Sequence, residues 1–248
     1  MDLNAGAPVL GIIFDKDGTL FDFGTTWEAW AAGFLRRAAH GDHARADRMA
    51  EAIGFDITKR RFRRDSVVIA GTPDEVATAL MPHFPETSHA GVLTLLNDEA
   101  ALAPQAEAVP LVPFLTGLRQ RGIKLGVATN DAETPARAHL NAAEVVPFFD
   151  FIAGSDSGFG GKPEPGQLMG FCAATGLDPE TVIMVGDSLH DLRAGRAAGM
   201  RTVGVLTGLA DTDDLAPHAT VVLSDIGGIP AWIDSLAVGS GVQTPLLP

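Results

Sequence analysis

The chain has 248 residues, 46% hydrophobic and 20% charged, enough to bury a sizeable core in one domain or two. Its 18 Lys+Arg against 31 Asp+Glu give a net charge of −13, which excludes a general nucleic-acid binder, a role that needs a basic surface. Cys172 is the only cysteine, so an intramolecular disulfide and a multi-cysteine metal site are excluded as well.

The opening MDLNAGAP lacks the basic region of a signal peptide, and no run of about 18 apolar residues occurs anywhere. The expectation is a cytoplasmic protein with no membrane partner. Residues 9–20 read VLGIIFDKDGTL. The apolar half suits a strand buried on both faces of a parallel sheet. It stops at Asp15, with Asp17, Gly18 and Thr19 following where open α/β sheets bind ligands; read alone, Asp-Gly is equally an ordinary turn.

After a turn at Asp22, Thr25 or Thr26 is expected to cap a helix in which Trp27, Trp30, Ala31, Phe34 and Leu35 share one face. Further helices are predicted over 44–53, 73–81 and 91–101, the second opened by Thr72-Pro73-Asp74-Glu75. Nothing between 22 and 104 alternates like a strand for long, and this block reads as a small helical domain. The basic run from Lys59 to Arg64 within it reads as a solvated helix face rather than a recruiter of anions.

From Val109 helices alternate with strands: helix 111–121, strand 123–128, helix 135–141, strand 151–153 and helix 167–175. Strand 182–185, helix 189–198 and strands 202–205 and 220–223 complete the series. Such alternation implies βαβ units and an α/β fold with a Rossmann-like parallel sheet. Residues 1–21 and 105–237 would form this core and residues 238–248 a loose tail.

Each strand ends in a polar cluster: Thr129-Asn130-Asp131, then Gly160-Gly161-Lys162-Pro163-Glu164-Pro165, then Gly186-Asp187-Ser188-Leu189-His190-Asp191. Singly, Thr129 is a backbone cap, Lys162 a surface charge, His190 a helix-surface residue, and Asp187 and Asp191 are helix-start acids. Together they converge on one crevice. Four carboxylates there repel one another, and a divalent cation relieves that; oxygen donors without clustered His or Cys favour Mg²⁺. Lys162 and Thr129 then suit the oxygens of a phosphoryl group.

Taken as a set, DKDGT, Thr129-Asn130, GGKPEP and GDSLHDLRAG resemble the haloacid dehalogenase-like superfamily, and within it the phosphoglycolate-phosphatase-like hydrolases. The resemblance implies a Mg²⁺-dependent phosphatase acting on a small phosphorylated metabolite, with residues 22–104 as an inserted helical cap. Asp15 would be the nucleophile, and Asp17 the acid that protonates the leaving alcohol and then activates water. Thr129, Asn130 and Lys162 would bind the phosphoryl group. Asp15, the carbonyl of Asp17 and Asp187 would hold Mg²⁺, with Asp191, Gly18 and Ser188 in support.

The acid at position 17 favours phosphate ester hydrolysis or transfer, so a phosphomutase of the same fold is the nearest alternative. A receiver-like signalling module is the alternative of another class, but it leaves the helical block and the GDSLHD cluster unexplained. Lys16 departs from the apolar residue usual there, and alternation in a strand would point it away from Asp15 and Asp17. The sequence is compatible with a monomer or a homodimer.

Overall fold

A computed structural model describes residues 7–239. The first apolar run forms β1 (Gly11–Phe14), buried along its whole length. It lies between β4 (Lys124–Ala128) and β6 (Val182–Gly186), parallel to both. With β5 (Phe151–Ala153), β7 (Arg201–Val205) and β8 (Val221–Leu223) they make a six-stranded parallel sheet ordered β5-β4-β1-β6-β7-β8.

The apolar run is continuous because both faces of β1 are covered. Ile12 and Phe14 pack with Leu111, Leu115 and Val127 in one layer, while Ile13 packs with Phe171, Met184 and Ala194 in the other. The layers are built by α6 (Leu111–Gln120), α7 (Glu133–Ala142), α8 (Gly166–Thr175), α9 (Leu189–Ala197), α10 (Thr212–Leu215) and α11 (Ile229–Gly239). The chain winds outward from β1 through β4 to β5, then crosses back to β6 and winds the other way. That reversal opens a crevice at the carboxyl ends of β1 and its neighbours.

Between β1 and α6 the chain forms α1 (Ala29–Ala38), α2 (His43–Ala52), α3 (Val67–Ala70), α4 (Pro73–Leu80) and α5 (His89–Ala100). These helices enclose an apolar cluster of their own, centred on Trp30, Phe34, Met49, Ile53, Leu80 and Val92. α4 starts where Thr72-Pro73-Asp74-Glu75 leads one to expect, and Thr72 and Glu75 cap it reciprocally.

Several local expectations give way. A turn of π-helix over Gly24–Glu28 precedes α1, and it is started by Asp22, whose Oδ1 accepts from Thr25 N–H at 2.7 Å, rather than by Thr25 or Thr26. The helical block also contains a ribbon, β2 (Phe55–Asp56) paired antiparallel with β3 (Arg61–Phe62). The basic run is therefore a hairpin and not a helix face: two residues per strand are too few to show alternation. Its Arg64 reaches Asp211 on the core at 3.2 Å. Of the tail, Val238 and Gly239 end α11, and the rest lies outside the described residues. No helix among the described residues is long and apolar enough to cross a membrane.

Candidate active site

Asp15 is the first residue beyond β1, its N–H donating to Val185 O at 2.8 Å. Lys162, far along the chain, places Nζ 2.6 Å from Asp15 Oδ1 and 2.7 Å from Asp191 Oδ1, and donates to Ala128 O at 2.7 Å. Its three donors thus tie the ends of β1 and β4 to the start of α9. Burial and two adjacent carboxylates act on this ammonium in opposite directions, and the carboxylates win, raising its pKa.

The loop carrying Lys162 is held by Asn130, whose amide accepts from Lys162 N–H at 2.7 Å and donates to Lys162 O at 2.9 Å. The Asn130 side chain is therefore engaged with the loop backbone. Thr129 is buried, and its Oγ1 accepts from Asp131 N–H at 3.1 Å, which leaves the hydroxyl proton available to donate. Ser188 caps α9 and exchanges hydrogen bonds with Asp191, whose Oδ2 accepts from Ser188 N–H at 3.0 Å.

Asp187 lies at the end of β6, and its carboxylate comes within 4.8 Å of those of Asp15 and Asp191. Two glycines make room for it. Gly18 has φ +79°, and a Cβ there would sit 2.5 Å from Asp187 Cγ. Gly208, in the loop after β7, approaches so closely that a Cβ would overlap the same carboxylate. Thr207 fixes this loop by donating to Gly18 O at 2.6 Å.

Lys16 is the largest departure from expectation. The strand has ended at Phe14, so alternation no longer governs where its side chain goes. It is 0% exposed, with Nζ 3.1 Å from Asp17 Oδ2, 2.8 Å from Asp131 Oδ2 and 2.8 Å from His139 Nδ1. On its far side His139 Nε2 lies 2.7 Å from Ala100 O at the end of α5. A carbonyl only accepts, so Nε2 carries the proton and Nδ1 accepts from Lys16. This cation holds one oxygen of Asp17, while Asp17 Oδ1 is buried without a hydrogen-bond partner among the described residues.

Burial, reinforced by Lys16, pushes His139 down to about 4. The unfolded chain binds this proton near 6.5, so stability from a neutral His139 is present above that pH and is lost as the pH falls toward 4. His139→Gln should flatten the decline of urea stability across that window, relative to the parent; parallel curves would remove the assignment.

The acids respond to burial in the opposite sense. Burial pushes the Asp15 carboxyl up to about 7, with Lys162 opposing, and Asp187 rises well above the usual carboxylate range for the same cause. Protonation is one way to settle several buried carboxyls; a cation among them is the other. Above them lies a cavity lined on the other side by the helical insertion. His190 lines this cavity and is half-buried, so it is not a plain helix-surface residue.

Comparison with known proteins agrees with this geometry. The family model for haloacid dehalogenase-like hydrolases matches residues 9–199. The chain belongs to that family. It is 30% identical over 210 residues to the phosphoglycolate phosphatase of Nitrosospira multiformis, covering 84% of this chain and 88% of that one. It is equally 30% identical over 219 residues to the probable phosphatase IndB of Dickeya dadantii, covering 86% and 88%. Among solved structures, CbbY from Rhodobacter sphaeroides in complex with phosphate superposes with a TM-score of 0.69 at 20% identity, over 91% of this chain and 99% of that one.

Asp15, Asp17, Thr129, Asn130, Lys162, Asp187, Ser188 and Asp191 all border the cavity, as sequence reasoning expected of the family motifs. Asp131 borders it too, although it was not singled out. His139, Thr207 and Gly208 were also missed. Nothing in a sequence marks a histidine that bonds a carbonyl 39 positions away, and a glycine needed only for close approach resembles any loop glycine.

Proposed function

We propose that this hydrolase is a Mg²⁺-dependent phosphatase for a small phosphate monoester, with phosphoglycolate and sugar phosphates as the esters that the family resemblance suggests testing first. The observation that carries this reading is Lys162 held between Asp15 and Asp191 at the crevice, with Asp17 free on one oxygen beside them. The named activity of the phosphatase relatives supports it.

The donor set fits a hard divalent cation: carboxylate oxygens that burial alone drives toward protonation, gathered around a carboxylate that two glycines leave room for. Asp15, Asp187 and the main-chain carbonyl of Asp17 would hold Mg²⁺. When bound it would offset the charge of the phosphoryl oxygens and of these acids.

Asp15 Oδ attacks phosphorus while the ester oxygen leaves, taking the proton held on Asp17 and departing as the alcohol. The phosphoryl group is now an anhydride on Asp15. Asp17, deprotonated, accepts a proton from water as its oxygen attacks phosphorus, which releases inorganic phosphate and restores both carboxyls. The Thr129 hydroxyl donates to the phosphoryl oxygens throughout, and the Lys162 ammonium, its N–H groups engaged by Asp15, Asp191 and Ala128 O, offsets their charge from beside Asp15. Asn130 and Asp191 keep Lys162 in place, and Lys16 fixes the orientation of Asp17. Residues 22–104 act as a cap that limits the access of water.

The test is phosphate release from a panel of monoesters, with and without Mg²⁺ and with EDTA. Sustained release that requires the cation is expected. A single burst that continues only when a bisphosphate is supplied would favour a phosphomutase instead. Gly208→Ala is expected to displace Asp187 and raise the Mg²⁺ concentration for half-maximal activity at least about tenfold, roughly 1.4 kcal/mol. An unchanged Mg²⁺ titration would show that Asp187 does not hold the cation.

A further inference from the structure

The two walls of the cavity are chemically unlike. The core side carries the carboxylates of Asp15, Asp17, Asp131, Asp187 and Asp191, with Thr129, Asn130, Lys162, Ser188 and His190 among them. The cap side is lined by Trp27, Trp30, Val68, Ile69, Val76 and Leu96, with glycine, proline, alanine and another aromatic between them. Among the described residues Asn97 is the only cap residue on this wall with an amide or charged side chain, and its Oδ1 is buried with no hydrogen-bond partner among them.

No cap cation faces the cavity among the described residues. None of the basic residues from Lys59 to Arg64 lines it: Lys59 pairs with Asp56, Arg63 with Glu51 and Asp65, and Arg64 with Asp211 and Asp214, while Arg60 and Arg61 act on Glu28. The lysines of the core are committed too. Lys162 is taken by Asp15 and Asp191, and Lys16 is fully buried against Asp17 and Asp131. A second anion on the substrate, such as the carboxylate of a phosphoglycolate, would meet an apolar wall above and, below, five acids with His190 as the one basic side chain besides the two lysines. Burying such a charge unpaired is strongly unfavourable, whereas an apolar group there loses water-exposed surface.

We propose that the alcohol half of the substrate is uncharged and largely apolar, an aromatic or branched aliphatic group, with one polar atom at most opposite Asn97. This rests on the phosphatase reading for the phosphate half of the molecule, and it narrows the candidate list by setting aside esters that carry a second anion. Sugar phosphates are disfavoured for a related reason: their hydroxyls outnumber the partners on the cap wall.

The test uses three esters of aliphatic alcohols: 3-methylbutyl phosphate, 2-phosphoglycolate and glucose 6-phosphate. Binding is read with Mg²⁺ in the Asp15→Asn variant by tryptophan fluorescence, since Trp27 and Trp30 form part of the wall; turnover is read in the parent. 3-Methylbutyl phosphate should bind at least about tenfold more tightly than either other ester and have the highest kcat/KM. Asn97→Arg, which supplies the missing cation, should shift the binding ratio toward 2-phosphoglycolate by at least about tenfold. Equal or tighter binding of 2-phosphoglycolate by the unaltered wall overturns the inference, whether or not the arginine variant folds. If the parent hydrolyses none of the three while the binding preference holds, the phosphatase reading fails and the wall's selectivity stands. Turnover with the opposite preference leaves the phosphatase reading in place and removes the inference.

Discussion

Asp15→Asn is expected to lower kcat by at least about a thousandfold, roughly 4 kcal/mol of barrier, while leaving the protein folded and no less stable. The amide retains an oxygen for Lys162 Nζ, which lies 2.6 Å from Asp15 Oδ1 in the parent, so the geometry at the strand end survives. It cannot accept the phosphoryl group as a carboxylate does, so the covalent route is closed. Stability should move the other way. Burial and the nearby Asp191 and Asp17 all work against a charged Asp15, with Lys162 opposing them. Removing that charge relieves repulsion, and Asp191 still pairs the lysine. Thermal unfolding in EDTA should therefore give an unchanged or higher midpoint. Residual activity within about tenfold of the parent would exclude Asp15 as the nucleophile.

The chemistry at the sheet edge was legible because its signals are local. Asp15 follows an apolar run that suits a doubly covered strand, and Asp187 follows another; strand ends in a doubly wound sheet meet, so residues far apart in sequence could be placed together. Lys162 was legible from its Gly-Pro loop and the motif around it.

What could not be read depended on partners that no spacing encodes. Lys16 meets Asp131 and His139, which lie 115 and 123 positions away, and a lysine in a sequence carries no mark of burial. The start of the first cap helix was misplaced because a π turn preserves enough of the apolar recurrence around Trp27 and Trp30 to read as α-helix. Asn97 gave no signal at all: its importance lies in being the one amide on an otherwise apolar wall, which is a property of the cavity and not of the helix that carries it.

Lys16 should prove as costly to lose for stability as Asp15 is for turnover. Its ammonium, with no exposed surface, is the cation shared by Asp17 and Asp131, and it lies 5.6 Å from the centre of the Trp27 ring. Lys16→Met keeps most of the side-chain volume but leaves the buried Asp131 and the half-buried Asp17 without their counter-charge and His139 without its donor. Breaking a buried pair by removing one partner typically destabilises by about 3–5 kcal/mol, whereas removing both charges together is far less harmful. Urea unfolding at neutral pH should show a loss of that size for Lys16→Met. Adding Asp131→Asn to the same chain should recover a substantial part of it, because the amide needs no cation. The coupling between the two substitutions is the diagnostic quantity: residues that act through one ion pair give a non-additive cycle. The single variant should also lose turnover at temperatures where it remains folded, since Asp17 no longer has an oxygen held in place for proton transfer. An additive cycle with an unchanged unfolding midpoint would mean that Lys16 is buried without serving as the cation of this network.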